Sequence, residues 1–157
     1  LSRQNIIDVP ALPGSNRLKD AMNAEKGAYV VQKSESDPDV ILLANGSEVT
    51  TLIEGSKLLK EKKGLQVQVV SAPSEGLFRN QPDNYQKEVI PDGVPVFGLT
   101  AGLPTNLEGL AGPKGRVFGL EHFGYSAPYK VLDEKFGFTA DNVFDQVGTY
   151  LEVYNAG

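Results

Sequence analysis

A chain of 157 residues is the size of one domain and long enough to bury about two thirds of its unfolded surface, so it needs no disulfide or metal staple. Hydrophobic residues at 40% and charged residues at 22% exclude disorder driven by low hydrophobicity. No cysteine and a single histidine, His122, exclude thiol catalysis, Cys-ligated metals and multi-His sites, and a net charge of −5 argues against a nucleic-acid partner.

The first 26 residues read as irregular, broken by Pro10, Pro13 and Gly14, and are expected to form a linker or arm lying on a preceding domain, with the domain proper over 27–157. The chain opens Leu1-Ser-Arg-Gln4, with neither a start Met nor a signal-peptide pattern, and so reads as a piece of something longer. No apolar run approaches the ~20 residues of a membrane span, and absence of Cys suits a cytoplasmic location. The run Gly27-Ala-Tyr-Val-Val-Gln32 is a short strand. Turn chemistry follows at Ser34–Asp39, and then the unbroken apolar run Val40–Ala44, the mark of a strand covered on both faces.

After Asn45-Gly46-Ser47, the spacing of Val49, Leu52, Ile53 and Leu59 predicts one apolar face of a helix. Gly64 ends that helix, behind Lys60, Lys62 and Lys63. A strand at Val67–Ser71 completes a βαβ unit, so its two strands should be parallel. Further along, Tyr85–Ile90 reads as a short helix, Val94–Leu99 as a strand, Pro104–Leu110 as a short helix and Arg116–Leu120 as a fourth parallel strand. A helix over Ser126–Phe136 stops at Gly137, and Thr139 caps a last helix carrying Val143, Val147, Tyr150, Leu151 and Tyr154 on one face. The expected fold is a three-layer α/β/α domain with a five-stranded mixed sheet. Four strands are parallel, and Ala28–Gln32 is an antiparallel edge strand reaching the next through a tight Pro-containing turn.

Two loops stand out. Asn45, Gly46, Ser47 and Glu48 link a strand to a helix, where open α/β sheets bind ligands and free helix amides attract anions. Against that, Ser47 reads as a plain N-cap, and Glu48 would repel an anion. The second loop, Glu121–Pro128, holds His122, Phe123 and Tyr125 and reads as a contact surface rather than a catalytic pocket. The run Gly109, Gly112, Gly115 lacks the order of a phosphate loop and leads into a strand rather than out of one. No Gly-x-Gly-x-x-Gly or Gly-x-Ser-x-Gly occurs, and Lys57–Lys63 reads as a solvated helix face. From the residues alone no catalytic, cofactor-binding or metal-binding set emerges.

An ordered series of segments resembles the C-terminal domain of transketolase. They are Leu1–Gln4, Gly27-Ala-Tyr-Val30, Pro38–Val49, Val69-Val-Ser-Ala-Pro-Ser74, Phe78 and Gln81, Tyr85, Val89-Ile-Pro91, Phe123-Gly-Tyr-Ser-Ala-Pro128, Phe136-Gly-Phe-Thr139 and Asn142-Val143. Between Thr100 and Gly112 the family's Glu-Ala pair and helical Trp are missing, so the helix there has no support from the resemblance. The resemblance implies part of an enzyme that moves two-carbon ketol units between sugar phosphates, a homodimer holding thiamine diphosphate and Mg²⁺ or Ca²⁺ in its preceding domains. It implies for this domain a structural, dimer-supporting role without catalytic residues. The alternatives are a small-molecule or anion-binding regulatory module using Asn45–Glu48, or the same domain of a sister enzyme such as dihydroxyacetone synthase.

Overall fold

The structure, a computed structural model, describes residues 7–122 and 124–157. Leu1–Gln4 and Phe123, on which two of the expectations above rest, lie outside the described residues. The five strands are β1 (Tyr29–Gln32), β2 (Val40–Ala44), β3 (Val67–Ser71), β4 (Val96–Leu99) and β5 (Arg116–Phe118), in the spatial order β1-β3-β2-β4-β5. The pairs β2–β3, β2–β4 and β4–β5 are parallel and β1–β3 is antiparallel.

The central strand is β2. All five of its residues are buried, as the unbroken apolar run requires. Each fully covered Leu or Ile there contributes about 1.5–3 kcal/mol of burial. Because β3 and β4 claim both edges of β2, the edge strand β1 pairs not with the strand it leads into but with β3, in the register Tyr29↔Ser71 and Val30↔Val70. The antiparallel edge expected from sequence is present, with a different neighbour.

Helix α2 (Glu48–Lys63) ends at Gly64, whose φ of 70° places it in the left-handed region that favours glycine. With α7 (Ala140–Ala156) it covers one face of the sheet, where Leu52, Leu59, Phe97, Val143 and Val147 form the core. Thr139 caps α7 as expected, its side chain accepting from the Asn142 N–H. The other face is covered by α3 (Glu75–Arg79), α4 (Asp83–Val89) and α5 (Thr105–Ala111), packed through Phe78, Val89, Leu107 and Leu110. The three layers follow from these two separate clusters.

Helix α6 (Tyr129–Phe136) starts three residues later than the sequence suggests, with Pro128 just before its first turn. Strand β4 begins after Pro95, whose missing N–H keeps it out of the ladder, although its carbonyl accepts from Ile41. Strand β5 stops at Phe118 instead of Leu120.

The stretch before β1 is less irregular than expected. It contains α1 (Arg17–Met22), capped by Asn16, and a 3₁₀ turn over Asn23–Lys26. Asp20 is buried and accepts from the Leu12 N–H at 2.8 Å. Hydrogen bonds from Ser15 and from Leu12, with Arg17 and Lys19 nearby, hold its carboxyl below the usual carboxylate range. Gly27 then lets the backbone pass against the start of α3, where a Cβ would strike the Ser74 carbonyl and the Phe78 N–H. Among the described residues no helix is long and apolar enough to cross a membrane.

Candidate functional site

Asn45–Glu48 lies between the carboxyl end of β2 and the start of α2. Strand β2 has β3 on one side and β4 on the other, and the helices that follow β2 and β4 pack on opposite faces. The loop therefore sits at a topological switch point, where the helices diverge and leave a crevice. Gly46, at φ 61°, turns the chain into the helix. Ser47 does not cap that helix, contrary to the simplest reading of the sequence. It already has helical φ and ψ, and its Oγ donates to Glu48 Oε1 at 2.7 Å. The Thr50 hydroxyl donates to the Ser47 carbonyl at 2.8 Å. The largely buried Glu48 carboxylate thus places the chain's own negative charge beside the first turn, where the helix dipole favours one.

Next to this loop is a cleft of about 470 Å³ that sequence reasoning missed. Ser47, Thr51 and Glu54 come from the start of α2, Tyr129 and Asp133 from α6, and Thr139 from the entry to α7. Burial raises the Asp133 carboxyl above its ordinary value. Glu134 and Lys130 complete the charges, so carboxylates outnumber cations three to one and the cleft repels anions. No local pattern encodes it, because its walls come from segments more than 70 residues apart.

The loop after β5 places two exposed rings on the half-buried Phe136 of α6. His122 packs 5.1 Å from Phe136 and 6.2 Å from Tyr125, ring centre to centre. Tyr125 stacks on Phe136 at 5.7 Å and 24°, and the Lys135 ammonium lies 4.0 Å over the Tyr125 ring. Two of the three residues singled out in this loop are therefore brought together, on the last turn of α6. Tyr125 remains 60% exposed, and the exposed surface continues through Val131. The third, Phe123, lies outside the described residues.

A family model described as the transketolase-like TK C-terminal domain matches residues 27–139. The chain belongs to the transketolase C-terminal domain family. It is 38% identical over 150 residues to a transketolase of Staphylococcus aureus, covering 94% of this chain and 22% of that protein. To a transketolase of Aquifex aeolicus it is 42% identical over 123 residues, 78% of this chain and 18% of the other. A solved transketolase mutant of Pichia stipitis superposes with a TM-score of 0.81 at 28% identity, over 98% of this chain and 21% of its own. The domain thus spans about a fifth of the length of the transketolases it matches.

Among the described residues no three His, Cys, Asp or Glu side chains converge to hold a metal ion.

Proposed function

We propose that this domain is the non-catalytic, dimer-supporting C-terminal part of a cytoplasmic transketolase. The parent enzyme would transfer two-carbon ketol units between sugar phosphates, using thiamine diphosphate and Mg²⁺ or Ca²⁺ held in its preceding domains, with residues 1–26 as the arm joining those domains to this one. The reading rests first on membership of the transketolase C-terminal domain family across residues 27–139. A single structural observation supports the dimer role: the exposed rings of His122 and Tyr125, packed on the half-buried Phe136. Aromatic side chains left in water on a loop are costly, and contact surfaces are enriched in them.

The test uses the parent enzyme. His122→Ala with Tyr125→Ala is expected to weaken dimer affinity by about tenfold, the scale of losing one modest aromatic anchor. Analytical ultracentrifugation reads the affinity, and ketol-transfer assays above the dimer's Kd read the chemistry. Unchanged dimer affinity with lost turnover would place this loop in the active site and sink the reading.

A further inference from the structure

At the amino end of β5, on the side away from the Asn45–Glu48 loop, a groove of about 500 Å³ opens between the strand and the last turns of α7. Lys114, Gly115 and Arg116 form one wall, and Tyr150, Val153 and Tyr154 the other. The volume falls within the range of small-molecule sites, roughly 300–1,000 Å³. Val153 is 68% exposed although it belongs to the apolar wall.

Both tyrosine hydroxyls are spent on the backbone. Tyr150 accepts from the Val96 N–H at 3.1 Å and donates to the Lys114 carbonyl at 3.1 Å, while Tyr154 donates to the Gly93 carbonyl at 3.1 Å. What they offer the groove is ring carbon. The two rings already meet edge to face, with centroids 5.8 Å apart at 69°. A third flat ring can join such a pair in an offset or edge contact.

The charged side chains of the groove are of one sign, and Gly157, with the α-carboxylate of this chain, lines its edge. In a chain of net charge −5, neither the Lys114 ammonium nor the Arg116 guanidinium enters an ion pair among the described residues. Lys114 lies 5.7 Å over the Tyr154 ring. Helix α7 has no basic residue in its last turn, so part of this positive charge serves its terminal carbonyls. A helix end amounts to roughly half a negative charge and the Gly157 α-carboxylate to one more, and two full cations still exceed their sum. Lys114-Gly115-Arg116, at the end of the glycine run that fails as a phosphate loop, is thus a cationic rim over an aromatic floor.

We propose that this groove binds a small, flat, aromatic anion, its ring against Tyr154 and Val153 and its charge against Lys114 and Arg116. Arginine suits the task because its planar guanidinium can both stack on a ring and pair with a carboxylate.

2-Naphthoate is the probe. Titrated into the full chain, it is expected to shift the amide signals of Gly115, Arg116 and Val153 and to saturate in the millimolar range. The double variant Lys114→Gln/Arg116→Gln should bind about tenfold more weakly, the scale of losing a charge-assisted hydrogen bond. Neutral 2-naphthol should show the same loss on the unaltered chain, and acetate at equal concentration should leave the three signals in place. Absent shifts with naphthoate, equal binding of naphthol, or shifts reproduced by acetate would each overturn the proposal. Val153→Glu, a change at an exposed position, sets a carboxylate into the groove and should abolish the shifts; retained affinity would move the site elsewhere. A change of sedimenting mass in the double variant would assign the groove to a second copy of the chain instead.

Discussion

Gly55 and Gly148 are both buried and both helical, yet the same substitution should act on them with opposite sign. A Cβ on Gly55 would meet Val143 Cγ1 at 2.6 Å and Cβ at 2.9 Å, atoms of a fully buried residue on the facing helix. A Cβ on Gly148 would meet only the tip of Lys63, Nζ at 2.8 Å and Cε at 3.5 Å, the far end of a flexible exposed side chain. Alanine raises helix propensity by about 1 kcal/mol at either place. At Gly55 overpacking of about 1–3 kcal/mol outweighs it, and steric contact this close puts the cost at the upper end. Urea unfolding is therefore expected to show Gly55→Ala losing about 1–2 kcal/mol and Gly148→Ala gaining about 0.5–1 kcal/mol. Equal shifts in the two variants would mean that the α2–α7 contact yields more easily than its geometry implies.

Among the elements, α7 does more than cover a face. Through the Tyr150 hydroxyl it ties the first residue of β4 to the turn that enters β5. Tyr150→Phe leaves the buried Val96 N–H without that partner, and an unpaired buried donor costs about 1–3 kcal/mol. The expected result is a stability loss of that size with faster hydrogen exchange at the Val96 amide; an unchanged exchange rate there would mean another acceptor takes over. Elements with strong local signals were legible in the sequence. The apolar run Val40–Ala44, the spacing through Leu59 and the stop at Gly64 fixed β2 and α2 to within a residue. Helix α3 has only five residues and includes Gly76, too short for any period to show. The partner of β1 was hidden for a different reason. Strand pairing depends on which edges the other strands have already taken, and the turn at Pro38 carries no information about β3. Thr139 advertised its cap correctly, whereas Ser47 had the right residue type but spent its hydroxyl on the neighbouring Glu48. The groove between β5 and α7 joins residues more than 30 positions apart, so it left only a hint, the Gly-flanked Lys114 and Arg116.

At the scale of the whole molecule, Tyr125, Tyr129 and Val131 leave exposed aromatic and aliphatic surface around the start of α6. One loop and one eight-residue helix are expected to bury less than the roughly 1,000 Å² that a stable interface needs. The 157-residue chain by itself is accordingly expected to sediment as a monomer at micromolar concentration. Supplied with thiamine diphosphate, Mg²⁺, a ketose-phosphate donor and an aldose-phosphate acceptor, it should show no turnover above a heat-killed control, since the chemistry of ketol transfer belongs to the cofactor. A tight dimer would mean that this domain carries more of the assembly than the loop alone suggests, and turnover would overturn its non-catalytic role.

The strand order also sets a timetable for synthesis. Strand β2 needs β4 on its second edge, and about 55 residues separate the end of one from the end of the other. At the roughly 5–20 residues per second of a translating ribosome, that edge of five consecutive apolar residues waits about 3–11 s for its partner. The face above it waits nearly as long again for Val143 and Val147 of α7. The most deeply buried strand of the finished domain is thus the one that a nascent chain must keep from other chains for longest.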